Sequence, residues 1–103
     1  LQWAAEKGGR LTFSLPVEKS GRVVIHLVAV HRPDGATVRV LVDGKPLPRE
    51  GGAEEIALRS SDAPRVLNVH CQPIELAAGQ HQITLECLEP GAVGLDYVWT
   101  KEP

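Results

Sequence analysis

Three side chains that could recognise a ligand lie within four positions, at His31, Arg32 and Asp34. Histidine supplies a titratable ring, arginine a planar guanidinium that donates bidentate hydrogen bonds, and aspartate a carboxylate acceptor. Their segment contains a Pro-Asp-Gly sequence and is therefore predicted to be a loop. Because loops carry binding residues more often than strands do, it is a candidate binding loop. The alternative is a simple turn with solvated charges.

Two further candidates lie elsewhere in the chain. Asp62 belongs to a second polar loop that begins at Arg59, and the same two interpretations apply to it. Trp3 is an aromatic residue near the start of the sequence. Such rings stack on the apolar face of a pyranose in sugar-binding sites. Trp3 could equally pack against a neighbouring domain.

The other aromatic residues are predicted to pack rather than to bind. Phe13 alternates with apolar neighbours in a strand pattern, so we assign it to the core. Strict alternation places Tyr97 and Trp99 on the same strand face as Leu95. We therefore expect both rings to lie in the core or at its rim.

The remaining reactive residues do not form a catalytic or zinc-binding pattern. The four histidines have no His-x-x-x-His spacing, whereas zinc needs three or four converging ligands. The serines and cysteines have no nucleophile-elbow context, and no pair of carboxylates is marked by its surroundings as the two acids of a glycosidase. The histidines are His26, His31, His70 and His81. We expect no enzyme activity.

Composition predicts one module with an aliphatic core. The chain has 103 residues, 43% of them hydrophobic but only 4% aromatic. Residues 1–103 are expected to form a single domain excised from a larger multidomain protein, because the sequence begins at Leu1 and contains no Met. The net charge is −2 without a basic block, so we expect no nucleic-acid partner. No apolar run approaches the ~20 residues of a membrane-spanning helix.

Short strands are predicted about every ten residues, and no segment has a helical period. The Asp43-Gly44 pair predicts a type I′ hairpin. Dense β-branched residues on both faces of 23–30 predict a central strand. The strands cover 11–15, 23–30, 37–42, 56–58, an interrupted 66–76, 82–88 and 93–100. About eight strands without a helix predict an all-β, antiparallel, two-sheet β-sandwich.

The two cysteines admit two interpretations. Cys71 and Cys87 lie at equal distances on either side of Gly79. In a regular hairpin about that glycine they would face each other and could form a disulfide. Pro73 argues against this arrangement, since proline interrupts a strand ladder. The alternative is a pair of buried thiols.

Several motifs in order give the chain a family resemblance. They are the strand and turn of residues 8–23, Val42-Asp43-Gly44-Lys45, Leu76-Ala77-Ala78-Gly79-Gln80-His81, and Gly94-Leu95-Asp96-Tyr97-Val98. Across nearly its whole length the sequence resembles the galactose-binding-like jelly roll, which carbohydrate-binding modules of glycoside hydrolases commonly adopt. The resemblance implies a secreted or periplasmic bacterial protein, neighbouring domains in the parent chain, and a poly- or oligosaccharide ligand.

The resemblance also raises the question of calcium. In related modules the aspartate of the closing strand, here Asp96, often helps to hold a structural calcium together with acidic residues near the N-terminus. Glu6 is the only such residue here. Calcium prefers six to eight oxygen ligands, several of them charged. We therefore expect no metal and no other cofactor.

Two functions remain open. The first is a non-catalytic, carbohydrate-binding-like accessory module of a carbohydrate-active protein, with ligand contacts from Trp3, His31, Arg32, Asp34 and Asp62. The second is a structural or domain-docking β-sandwich without a sugar site. The scarcity of aromatic residues favours the second, and the family resemblance favours the first.

Overall fold

Ten β-strands make up the structure, a computed structural model that describes residues 2–59 and 65–101. The side chains of residues 2, 96, 97, 99 and 101 are outside this description. The strands are β1 (Gln2–Ala5), β2 (Arg10–Val17), β3 (Gly21–His31), β4 (Thr37–Val42), β5 (Lys45–Leu47), β6 (Glu55–Ala57), β7 (Arg65–His70), β8 (Ile74–Leu76), β9 (Gly79–Glu89) and β10 (Gly91–Lys101).

The strands form two five-stranded antiparallel sheets. The first has the order β1-β10-β3-β7, with β8 also paired to β3. The second has the order β2-β9-β4-β5, with β6 also paired to β4. This confirms the predicted all-β sandwich. Strands β1 and β5 are not among the predicted strands, and β5 contains Pro46, a residue that strands seldom include. At the edge of a sheet, where β5 lies, a strand tolerates proline because one side of its backbone needs no partner.

Aliphatic side chains fill the space between the sheets. On β4, which confirms the strand predicted over 37–42, Val38, Val40 and Val42 are buried and belong to the core. On β3, residues on both faces are buried, including His26 and Val28 between inward-pointing neighbours. The prediction of a central strand over 23–30 is therefore confirmed. Each fully buried aliphatic side chain contributes about 1.5–3 kcal/mol of transfer free energy.

A β-bulge changes the register of the closing strand. Leu95 pairs with Ala29, but Tyr97 pairs with Val28, so two steps on β10 match one step on β3. Such an extra residue shifts the alternation of everything that follows it. The prediction that Tyr97 and Trp99 share a face with Leu95 is therefore wrong, because it assumed strict alternation along a strand that contains a bulge. The further prediction that their rings pack lies outside the described side chains.

The cysteines do not face each other across a hairpin. Strand β8 pairs with β3 of the first sheet, whereas β9 pairs with β2 and β4 of the second. Gly79 therefore connects the two sheets, and the hairpin on which a disulfide depended does not exist. Cys71 and Cys87 are both free and buried. Burial raises the pKa of the Cys71 thiol to about 11.

One long side of the sandwich is closed by backbone hydrogen bonds. The segment between β5 and β6 reaches across to the first sheet, where Arg49 forms a bridge with Cys71. The amide of Glu50 donates to the carbonyl of His70 at 2.7 Å, and that of Gln72 donates to the carbonyl of Pro48 at 2.9 Å. Because the two sheets cannot slide past such bonds, this segment fixes their relative position.

A charged pair, formed by Asp43 and His81, stabilises the β4–β5 hairpin. Asp43 and Gly44 have φ values of 50° and 83°, which confirms the type I′ turn. The Asp43 carboxylate accepts from the amide of Gln82 at 2.8 Å and from His81 Nδ1 at 2.6 Å. His81 Nε2 lies 2.6 Å from the carbonyl oxygen of Ala77. Since both partners of the ring only accept, the arrangement requires a doubly protonated imidazolium.

This pair predicts a pH-dependent stability. The Asp43 carboxylate, and then the Ala77 carbonyl, raise the pKa of His81 above 6.5, while His81 lowers the pKa of Asp43 below 3.8. The stabilising contribution of His81 is fully present below pH 6.5 and is lost as the pH rises through its raised pKa. That of Asp43 is lost as the pH falls through its lowered pKa. NMR titration and urea unfolding across the pH range measure both.

Asp43→Asn is the matched variant, because asparagine suits the turn but removes the charge. We expect it to return the His81 pKa towards 6.5 and to flatten the alkaline decline in stability. A wild-type His81 that titrates at or below 6.5 would contradict this assignment.

Candidate ligand-binding site

The predicted binding loop is held on both sides by backbone hydrogen bonds at one end of the sandwich. On one side, the Arg32 amide donates to the Leu58 carbonyl at 3.0 Å, and the Leu58 amide donates to the Ala36 carbonyl at 2.8 Å. On the other side, the Ala36 amide donates to the Ala92 carbonyl at 3.0 Å, and the Ala92 amide donates to the Asp34 carbonyl at 2.8 Å. The loop between β3 and β4 is therefore fixed before any ligand arrives.

Gly35 lets the loop lie this close to its neighbour. A Cβ atom at this position would lie 1.8 Å from the carbonyl oxygen of Leu58 and 2.8 Å from the amide nitrogen of Arg59. Both are backbone atoms, which cannot move aside as a side chain can. The Pro-Asp-Gly sequence therefore does more than turn the chain, because its glycine permits a backbone approach that no other residue allows.

Two of the three predicted polar residues of this loop, Arg32 and Asp34, form an ion pair. Arg32 Nε donates to Asp34 Oδ1 at 2.5 Å, with side-chain exposures of 32% and 63%. His31 is half-buried beside them in sequence. An exposed ion pair contributes only about 0–1 kcal/mol to stability. Hydroxyl groups of a ligand can therefore replace water, or the partner in the ion pair, at a small cost in free energy.

Arg59 supports the loop from the second polar segment. Its Nε donates to the Gly35 carbonyl at 3.2 Å, and its Nη2 donates to the Pro90 carbonyl at 3.4 Å. One guanidinium thus connects the loop after β3 with the turn before β10. The prediction for Asp62, three residues further along the chain, lies outside the described residues.

Trp3 lies one strand away from the loop and is half-buried. It pairs with Val93, and its neighbour Ala4 pairs with Ala92, which holds the loop. Its ring packs against the core, and Cζ2 lies 3.3 Å from where a Cβ atom of Gly9 would be. The structure thus brings Arg32 and Asp34 into contact, shows no contact between His31 and either of them, and packs part of the Trp3 ring against the core.

A metal site is not evident in the described part of the chain. Residues 2–59 and 65–101 contain no group of three or more His, Cys, Asp or Glu side chains that could hold a metal ion. The Asp96 side chain is outside this description, and Glu6 is exposed after β1. The expectation of no calcium therefore stays a prediction.

A second polar cluster, on the outer face of the second sheet, was missed by the sequence analysis. Glu86 accepts from Arg10 Nη2 at 2.7 Å and from Arg39 Nε at 2.6 Å, and Arg39 also lies 3.6 Å from Glu54. Arg10, and then Arg39, lower the pKa of Glu86. The cluster borders an open groove of about 520 Å³. Arg10, Arg39 and Glu86 hold outward positions in their strands, but only the register shows that they meet.

Several solved structures of other proteins have a fold similar to that of this chain. No family model matches the sequence, and no curated protein sequence matches it. Among solved structures, the chain is similar to a family 35 carbohydrate-binding module from Cellvibrio japonicus, with 12% identity and a TM-score of 0.66 over 93% of this chain and 67% of that one. The protein thus has the β-sandwich fold of carbohydrate-binding modules, as the sequence resemblance predicted.

Two carbohydrate-active enzymes contain a similar sandwich. A family 115 4-O-methyl-α-glucuronidase with specificity for decorated arabinogalactans matches 99% of this chain at 21% identity, with a TM-score of 0.65. A cycloisomaltooligosaccharide glucanotransferase from Paenibacillus matches 91% at 20% identity, also with a TM-score of 0.65. The matches cover only 14% and 13% of those enzymes. At these identities the likeness shows the fold and not the activity.

No helix among residues 2–59 and 65–101 is long and apolar enough to cross a membrane.

The close approach at Gly35 predicts a large effect of a small substitution. Gly35→Ala should lower the free energy of unfolding by at least about 3 kcal/mol, because its methyl group collides with the Leu58 backbone. Urea unfolding measures the change. Gly21→Ala is the matched control, since Gly21 has open space around it and no positive φ. Equal free energies of unfolding for the two variants would show that the loop backbone moves to accommodate the methyl group, and would contradict this prediction.

Proposed function

We propose that the protein is a non-catalytic carbohydrate-binding module that contacts a poly- or oligosaccharide through His31, Arg32 and Asp34. The observation that carries the proposal is an exposed Arg32–Asp34 pair on a loop fixed by backbone hydrogen bonds on both sides. The fold supports it, because the similar solved structures include a carbohydrate-binding module and parts of carbohydrate-active enzymes. Asp62 and Trp3 would extend the contact surface.

The loop would bind sugar through hydrogen bonds to hydroxyl groups. The guanidinium of Arg32 donates, the carboxylate of Asp34 accepts, and His31 can do either according to its tautomer. Because the backbone is already fixed, binding would cost little loop entropy. Among the described side chains, Trp3 and Phe13 are both partly buried against the core. The affinity would therefore come from polar contacts more than from stacking.

We further propose that the protein acts as an accessory to a larger carbohydrate-active protein, secreted or periplasmic, rather than as an enzyme. In the two enzymes it resembles, the similar sandwich makes up about one seventh of the chain, which leaves most of each enzyme outside the match. A binding accessory needs only a positioned donor and acceptor. Glycoside hydrolysis generally needs a pair of carboxyl groups on either side of the scissile bond.

A second candidate function is a structural or domain-docking sandwich without a sugar site. It is favoured by an open apolar groove that is lined by residues 11–15 of β2 and by Leu95 and Val98 of β10. Scattered apolar residues are normal on a surface, but a continuous apolar groove often marks a protein contact.

Glycan binding by charge-neutral variants tests the first proposal. Asp34→Asn keeps the size of the side chain and removes its charge, and Arg32→Gln removes the charge while shortening the side chain. On a panel of xylan, mannan, arabinogalactan and dextran, we expect the wild type to be retarded in affinity electrophoresis by at least one glycan. The double variant should bind that glycan about tenfold more weakly, as loss of charge-assisted hydrogen bonds implies.

Arg22→Gln with Glu75→Gln is the matched control, because these exposed residues pair at the opposite end of the sandwich. It should bind as the wild type does. Wild-type protein that binds none of the glycans, or a double variant with unchanged affinity, would refute a sugar site at this loop.

A further inference from the structure

A row of charged side chains crosses the outer face of the second sheet. Arg10 on β2 pairs with Glu86 on β9, which pairs on its other side with Arg39 on β4. Arg39 pairs in turn with Glu55 on β6. Directly paired residues of antiparallel strands point to the same face of a sheet. The row therefore alternates in sign and ends on the carboxylate of Glu55.

The carboxylates in the middle and at the end of this row have different surroundings. Glu86, in the middle, accepts from Arg10 Nη2 at 2.7 Å and from Arg39 Nε at 2.6 Å. Glu55, at the end, is exposed, and within residues 2–59 and 65–101 it has no ion-pair partner. Its neighbour Glu54 lies 3.6 Å from Arg39 Nη1, a guanidinium that Glu86 already uses. This end of the row therefore lacks a positive charge.

An open groove lies at the same end of the row. Its volume of about 520 Å³ falls within the range of small-molecule sites. Its lining combines charged groups with aliphatic carbon and consists of Arg39, Gly52, Ala53, Glu54, Glu55 and Leu88. Because hydrogen-bond donors, acceptors and apolar surface meet in one groove, it can contact the hydroxyl groups and the apolar face of a sugar ring together.

The balance of charge indicates which kind of ligand suits the groove. Two carboxylates and one guanidinium line it, so it attracts a cation. A metal ion needs several converging ligands, and the described residues contain no group of three or more His, Cys, Asp or Glu side chains that could hold one. A run of basic side chains would meet Arg10 and Arg39 as well as the carboxylates, because the row alternates in sign. A single ammonium group, with three donors, avoids both difficulties.

We propose that this groove is a second saccharide site and that it takes an amino sugar, with the protonated amine at Glu54 and Glu55 and a neighbouring hydroxyl group at Arg39. The aliphatic side chains of Ala53 and Leu88 contact the sugar ring. The class of ligand is a chain of hexosamine units, since each ring of such a chain carries one amine and can present it to the groove.

Two oligosaccharides that differ only in acetylation test the proposal on the whole chain. One is a hexasaccharide of glucosamine, and the other is the corresponding hexasaccharide of N-acetylglucosamine, which has no charge. In a slightly acidic buffer that keeps the amines protonated, titration calorimetry should give at least about tenfold tighter binding of the glucosamine hexasaccharide. The NMR signals of the Gly52, Ala53 and Leu88 amides should shift on binding. Added salt should weaken the binding, because salt screens ion pairs in an open groove.

Charge-neutral variants locate the amine. Glu54→Gln with Glu55→Gln keeps the size of both side chains, and it should bind the glucosamine hexasaccharide about tenfold more weakly. Glu18→Gln with Glu75→Gln is the matched control, because it removes the same charge from exposed residues that do not line the groove. It should bind as the wild type does. Circular dichroism checks that both variants are folded.

The loop variant separates this site from the function proposed above. Arg32→Gln with Asp34→Asn should bind the glucosamine hexasaccharide as the wild type does, because neither residue lines the groove. Wild-type protein that binds no glycan of the earlier panel but binds this hexasaccharide would refute the loop site and support the groove.

Three results would overturn the proposal. They are equal affinity for the two hexasaccharides, equal weakening by the groove variant and its matched control, and amide shifts that leave Gly52, Ala53 and Leu88 unchanged. An oligolysine peptide that binds as tightly as the glucosamine hexasaccharide and shifts the same amides would assign the groove to a basic polypeptide instead.

Discussion

The fold depends on β3, because this strand forms ladders with three others. It pairs with β10 on one side, and with β7 and β8 on the other. One face of β3 packs on the second sheet, and on the other face His26 and Val28 are also buried. Its β-branched residues suit burial on both faces. The positions of the closing strand and of the loop at His31 follow from where β3 ends.

The two long sides of the sandwich differ in the contacts that join the sheets. On one side the segment around Arg49 crosses between the sheets and bonds to residues 70–72. On the other side, β1 pairs with residues 91–94 of β10, and the inward-pointing residues of β2 are half-buried.

Local patterns in the sequence predicted the elements, and they failed where distant residues decide the geometry. The Asp43-Gly44 turn and the strand over 37–42 are predicted by short-range signals, and both are confirmed. The bulge after Leu95 and the crossing of Gly79 between sheets depend on the partners of those strands. Alternation alone therefore misplaced Tyr97, and symmetry about a glycine wrongly suggested a hairpin. The sequence contains no local marker for either event.

In the candidate site, too, local sequence patterns predict some features, and only the tertiary structure reveals others. His31, Arg32 and Asp34 are candidates because a polar, proline- and glycine-containing segment between strands is recognisable from the sequence, and their role in binding stays a prediction. The support of that loop is not recognisable in this way, because Leu58 and Ala92 contribute only backbone atoms, which any residue could supply. The Arg10–Glu86–Arg39 cluster was missed for a related reason. Its members are ordinary outward-facing residues until the register places them side by side.

The burial of Cys71 gives the domain an internal reporter of its own opening. Its thiol is 2% exposed, and the residue is bonded on one side to Ile25 and bridged on the other to Arg49. An alkylating reagent can reach that sulfur only when the closed side of the sandwich separates. The thiol reacts as a thiolate, and its high pKa leaves little thiolate to react before exposure. The rate of labelling therefore measures how often the sheets part, without any introduced chromophore.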